Sequence, residues 1–437
     1  MSNTTPRRTA LSAGALLATG ALALTGCTAG GANAAGVTTV TVMYATSEFT
    51  ADQVKAFEKE NPDIDIEFVE FDTNRLNAML TAGDPPDLVR GKPSANLFAR
   101  ELAAPLDDFL ADSEVIKKDD LLPVNDLWRW NGTERGSGEL YGLVKDFSPD
   151  TTFWQNEAMF EAGGVEPLST TEPSSWDDII EKGVALKAAG VELPIGIEWQ
   201  WGIGSLFQEM VEQQGEKIFN EDLTEADVTS PEAIRAIQWL IDYGKADVGP
   251  TSLDPLAAGQ DGPAYTSAEM AATMDGYWFA GQFTAEEAAR VASTSTLAPA
   301  PTFGERISAV NGAVGAWIPE GSDNKEEAWR VMEYFIGGQP AIDRAKSGWG
   351  LPGLQSMWEY LPTKEPYQQQ AIEVAKQEME YVVPLQDSPY LSVEQWNPEL
   401  DKGVQAGILG EKTAKQIAEE LEDRMNTLLA QGKDQLG

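Results

Sequence analysis

The stretch from Thr39 to Phe68, TVTVMYATSEFTADQVKAFEKENPDIDIEF, decides the fold class. Val40, Val42 and Tyr44 alternate with Thr39, Thr41 and Met43, the period-two pattern of a half-buried strand. Thr50 stands three residues before Gln53, a spacing at which each side chain bonds the other's backbone N–H and opens a helix. Phe49 and Val54 flank that start as a hydrophobic staple, and Val54 and Phe57 share one helical face. Asn61-Pro62 ends the helix, because proline lacks the N–H and its ring clashes with the preceding turn. Ile64, Ile66 and Phe68 then alternate as a second strand. A strand, one helix and a strand in this space predict a parallel crossover.

The same grammar continues outward. Thr81 to Val89 reads as a loop feeding a short strand. Ser174-Ser175-Trp176-Asp177-Asp178 starts a helix whose inward face is Trp176, Ile179, Ile180 and Val184. Asn324 to Phe335 is a helix with Ala328, Val331, Met332 and Phe335 at i, i+3, i+4 and i+7. Thr413 and Gln416 open the last helix, with Ile417, Leu421, Met425 and Leu428 as its stripe. Strands alternate with helices throughout, which predicts an α/β protein with parallel sheets.

Upstream, Arg7 and Arg8 lead into an apolar run from Ala10 to Leu24, about 15 residues and short of the roughly 20 that span a bilayer. This is the pattern of an export signal. It ends at Leu24-Thr25-Gly26-Cys27, and Cys27 is the one cysteine of the chain. That tetrad resembles the lipobox of bacterial lipoproteins, which implies cleavage after residue 26, lipid on Cys27 and a soluble body held at the outer face of the cytoplasmic membrane. Residues 27–36 form a Gly/Ala-rich flexible tether. Pro6-Arg7-Arg8-Thr9-Ala10-Leu11 matches the twin-arginine export motif only in part.

The remaining 411 residues are enough for two or three domains. They carry 29 basic against 70 acidic residues, net −41, which disfavours nucleic acid and anionic lipid as partners. There is no histidine, so Ser-His-Asp catalysis and His-based metal sites are excluded. With Cys27 lipidated, disulfides and thiolate chemistry are excluded as well.

Several blocks resemble, in order, the family 1 extracellular solute-binding proteins, the maltose-binding-protein-like lipoproteins that feed sugar importers of the ABC class. They are Ala56–Pro62, Gly83–Asp87, Leu102–Leu106, Tyr141-Gly142-Leu143, Trp154–Gly164, Ser175–Asp178, Met270–Trp278, Asn324–Phe335 and Gly348–Pro352. The resemblance implies a two-lobed periplasmic-binding-protein-like fold of type II. Each lobe would be a mixed, mostly parallel sheet flanked by helices, and a multi-segment hinge would join them. Lobe 1 would hold 37–147 and 298–338, and lobe 2 would hold 148–297 and 339–437. The implied activity is non-enzymatic: a monomer without cofactor captures a carbohydrate by lobe closure and delivers it to ABC transporter permease subunits.

A sugar-binding cleft needs aromatic faces for C–H surfaces and charged groups for hydroxyls. Trp199 and Trp201 follow the strand Ile195-Gly196-Ile197, and at i and i+2 they share a face, toward either cleft or core. Asp275, Tyr277 and Trp278 lie in a loop after Ala271–Met274, where the family's binding loop matches. Trp349 stands between two glycines. From the first lobe, Ser47 and Glu48 end the first strand, although both can equally serve the helix start. Arg90 and Lys92 follow Asp87-Leu88-Val89, as hydroxyl ligands or a plain surface pair. Lys145, Asp146 and Asn311 complete the set. Trp128, Trp130, Trp176, Trp239 and Trp329 read as core or interface. Other readings are a receptor for a polyol, sugar acid or peptide, a secreted glycoside hydrolase using two carboxylates about 5–9.5 Å apart, and an adhesin.

Overall fold

The computed structural model describes residues 36–197, 199, 202–257, 259–310 and 312–436. The export signal, Cys27, the tether up to residue 35, Trp201 and Asn311 lie outside the described residues.

The first sheet is laid down by β1 (Thr38–Tyr44), β2 (Ile64–Glu70) and β3 (Leu88–Gly91), with β1 parallel to both neighbours. β4 (Arg129–Trp130) and β5 (Glu139–Leu140) form a small hairpin, and β6 (Leu143–Phe147) rejoins the first sheet. The chain crosses through 148–152 to a second sheet of β7 (Phe153–Asn156), β8 (Leu193–Gly196), β9 (Met270–Thr273) and β10 (Ser295–Ala298). It returns as β11 (Val314–Trp317), antiparallel between β3 and β6, and β12 (Leu351–Pro352) closes the edge on β6. The orders are β12-β6-β11-β3-β1-β2 and β10-β7-β9-β8.

The two sheets are mixed, as expected, but not mostly parallel. Parallel pairing is confined to β1–β2, β1–β3 and β8–β9. The antiparallel pairs all involve β6, β7, β10, β11 or β12, the strands through which the chain passes between sheets. The return to the second body expected at 339 also comes later. Helix Gln339–Ser347 packs on helix Lys325–Gly337 and on β12, so this segment stays with the first sheet. Helix Pro366–Glu378 then packs on β10, and helices Val393–Ile408 and Ala414–Leu436 pack on helix Pro231–Ala246.

The opening stretch folds as its residues dictate. Gln53 N donates to Thr50 Oγ1 at 3.4 Å and Thr50 N to Gln53 Oε1 at 2.9 Å, capping helix Ala51–Glu60. β2, an edge strand, alternates as read. Met43 departs from the pattern: it is buried along with Val42 and Tyr44, because β1 is central and covered on both faces. In helix Trp176–Ala188 the inward face runs through Trp176, Ile179, Gly183 and Leu186, while Val184 is 48 % exposed. A Cβ at Gly183 would lie 2.8 Å from Val248, so the helix approaches β8 along its glycine. The five tryptophans assigned to core are all buried.

Asp87 explains the Gly83–Asp87 block. Its carboxylate accepts from Thr41 N at 2.8 Å, Ser322 Oγ at 2.6 Å and Asn324 Nδ2 at 3.3 Å, fastening β1 to the start of helix Lys325–Gly337. Bonds to a charged group contribute about 1.5–3 kcal/mol each.

Candidate ligand-binding site

The ends of β1, β3 and β6 bring together charges that are 42 to 198 residues apart in sequence. Glu48 sits in the turn after β1, where Arg90 Nη2 donates to its carboxylate at 2.9 Å and Lys145 Nζ closes on it from β6. Lys145 also lies 3.1 Å from Asp146, which receives Arg344 Nε at 2.5 Å. Three cations meet two carboxylates, and the Lys145 side chain is 2 % exposed. Burial alone would raise the Glu48 carboxyl, but Lys145 and Arg90 outweigh it and hold its pKa down to about 2. Burial pulls the Lys145 ammonium below its ordinary value, with Asp146 and Glu48 opposing. Lys145 also lies over the Tyr44 ring, whose hydroxyl donates to Gly315 O at 3.1 Å.

The network ends on tryptophan. The Arg344 guanidinium stands 5.9 Å from the Trp349 ring, which stacks on Trp278 at 6.0 Å and 20°. Gly348 and Gly350 both have positive φ, 74° and 101°, which lets a two-glycine turn set the indole against the backbone of Gly281. Glu48, Arg90, Lys145, Asp146, Trp278 and Trp349 are thereby linked by direct contacts. Ser47 and Lys92 are exposed and make no side-chain hydrogen bond or ion pair among the described residues. Tyr277 is 1 % exposed and belongs to the apolar core, so it offers no open face; burial raises its hydroxyl pKa.

Asp275 and Trp199 line a different feature, a cavity of about 50 Å³ at the C-terminal ends of the parallel pair β8 and β9. The Asp275 carboxylate accepts from Thr273 Oγ1. Trp199 is 6 % exposed, stacks on Tyr243 and donates Nε1 to Asp401 at 2.8 Å, so it serves core and cavity together. The loop Asp275–Trp278 runs from this cavity to the tryptophan stack. Gly276 holds it with φ 65° and accepts Trp154 Nε1 at 2.8 Å.

A separate clasp joins the two bodies at 384–390. Gln208 Nε2 donates to Gln386 O at 2.7 Å and Ser388 Oγ to Leu223 O at 2.7 Å, which fixes the segment to the second body. From there Asp387 accepts Ala95 N at 2.7 Å and pairs with Arg135 at 3.0 Å. Burial pushes the Asp387 carboxyl up, against the pull of Arg135.

Arg344 and Asp261, a second acid in the cavity wall, escaped the sequence reading. Arg344 carried one faint signal, its place one turn before Gly348-Trp349-Gly350. Among the described residues no helix is long and apolar enough to cross a membrane, and no cluster of acids could hold a metal ion.

No curated protein matches the chain in sequence. Solved structures share its fold. The ABC substrate-binding protein Lmo0181 from Listeria monocytogenes, solved with cycloalternan, has a TM-score of 0.73 at 20% identity, covering 90% of this chain and 99% of its own. A solute-binding protein from Thermotoga lettingae with bound α-D-tagatose gives 0.73 at 19% identity, with coverage of 90% and 99%. Maltose-bound MalE3 of T. maritima gives 0.71 at 16% identity, covering 89% and 99%. These are type II periplasmic-binding-protein folds, as the resemblance implied. The family model for bacterial extracellular solute-binding proteins matches residues 42–338, and so the two sheets, their crossings and the charged cleft belong to one known design: the chain is a member of the bacterial extracellular solute-binding protein family.

Proposed function

We propose that the chain captures a carbohydrate between its two bodies and delivers it to an ABC importer, without chemical turnover. The observation that carries this reading is the stacked Trp278–Trp349 pair meeting the Arg90–Glu48–Lys145–Asp146–Arg344 network. Flat indoles suit sugar C–H faces, and held charges suit hydroxyl rims. Similar folds were solved with cycloalternan, tagatose, maltose and mannitol, which supports a carbohydrate or polyol. Glu48 argues against a hydrolase: a catalytic acid needs a raised pKa, whereas its own is held at about 2.

On this reading lobe 1 comprises 37–147 and 299–365, and lobe 2 comprises 148–298 and 366–437. Cys27 carries the lipid anchor, and the monomer works at the outer face of the cytoplasmic membrane at raised local concentration near its permease. Isothermal titration against mono- and oligosaccharides and polyols tests the ligand class, and X-ray scattering tests closure. Binding with a smaller radius of gyration is expected; no response to any carbohydrate or polyol would overturn the assignment. Loss of membrane fractionation in Cys27→Ala tests the anchor.

A further inference from the structure

We infer that the cavity between β8 and β9 receives an ammonium group, so that the captured ligand is an amino sugar. The inference rests on the carbohydrate reading above and narrows it. The cavity of about 50 Å³ is lined by Asp261 and Asp275 together with Trp199, Thr251, Ser252 and Thr273. No Lys or Arg is among its described lining residues, whereas the carboxylates of Glu48 and Asp146 each hold a cation. The donors in its wall are already committed. Ser252 Oγ donates to Asp401 at 2.7 Å, Thr273 Oγ1 to Asp275, and Trp199 Nε1 to Asp401.

Asp261 supplies the independent sign that something polar is wanted. It is 7 % exposed, and its buried Oδ1 has no hydrogen-bond partner among the described residues. A buried carboxylate oxygen left this way is costly unless a donor arrives.

Size and valence choose the donor. A water's share of liquid volume is about 30 Å³, so the cavity admits a small exocyclic group and not a sugar ring. A hydroxyl brings one proton and no charge, while an ammonium brings three protons and one positive charge. The Trp199 ring in the same wall is a favourable surface for a cation. A net charge of −39 on the whole chain draws cationic ligands toward it.

The test is titration calorimetry on the full chain with D-glucosamine, D-galactosamine, D-mannosamine and chitosan oligosaccharides. Each is compared with its neutral parent and its N-acetyl form. At least one amine is expected to bind about tenfold or more tightly than both counterparts, from the gain of charge-assisted bonds. In Asp261→Asn that ratio should fall toward one, with the parent's affinity held within about threefold. Neutral parents binding as tightly as the amines in the unaltered chain would overturn the pocket and leave the carbohydrate reading standing. A preference untouched by Asp261→Asn would overturn it too, while no binding by any sugar removes both. If the variant fails to fold, the ratio in the unaltered chain decides.

Discussion

Replacing Glu48 by Gln tests whether the charged network is held as its geometry demands. The substitution keeps the shape but removes the carboxylate on which Arg90 and Lys145 converge. Its pKa falls from 4.5 to about 2 on folding, because the two cations outweigh the burial that opposes them. That difference corresponds to about 3 kcal/mol of stability at neutral pH. The sign follows from the depression. The contribution is present above the unfolded value, near pH 4.5, and is lost as pH falls through about 2. Urea unfolding of both proteins from pH 7 to pH 2, followed by circular dichroism, measures it. Glu48→Gln should be less stable by about 3 kcal/mol at pH 7, and the gap should close between pH 4.5 and pH 2. A gap absent at pH 7, or one that stays constant down to pH 2, refutes the reasoning.

Trp349→Ala should weaken carbohydrate binding about tenfold, since a stacked aromatic face contributes about 0.5–1.5 kcal/mol beyond its area; unchanged affinity by calorimetry would remove the stack from the site. Gly281→Ala, whose Cβ would stand 2.3 Å from the Trp349 ring, should reproduce that loss and change tryptophan emission. Asp387 separates two costs. Its raised pKa means its contribution is full below the unfolded value and lost as pH rises through the folded one. Asp387→Asn should therefore be neutral or stabilising in thermal melts at pH 7. Asp387→Ala should destabilise by about 1–3 kcal/mol, because Ala95 N loses its acceptor. Thr50→Ala should cost about 0.5–2 kcal/mol in the same melts, through the lost helix cap.

The sequence spoke most clearly where the physics is local. Thr50 and Gln53 announce their helix because they bond each other's backbone three residues apart. Trp278 and Trp349 stood out because glycine-rich loops give an indole little to pack on. Tyr277 was misjudged because the same loop turns inward at Gly276, and only the packing of the core shows which way. Arg344 was illegible because its helix is aimed by β12 pairing with β6, a contact made more than 200 residues away in sequence. Asp261 is one of 70 acids, and nothing in its neighbours says that its carboxylate is buried.

The position of β11 has a consequence for biosynthesis. It fills the gap between β3 and β6, yet it leaves the ribosome after the whole stretch that builds β7 to β10. Until residue 317 emerges, β3 and β6 each present an unpaired edge, the kind of surface on which chains aggregate. The second body waits longer still, for helices Val393–Ile408 and Ala414–Leu436. Neither half is a contiguous segment, so neither can finish folding before the other's residues are made, and a nascent chain of this design depends on being kept unfolded or shielded until its last helix is free.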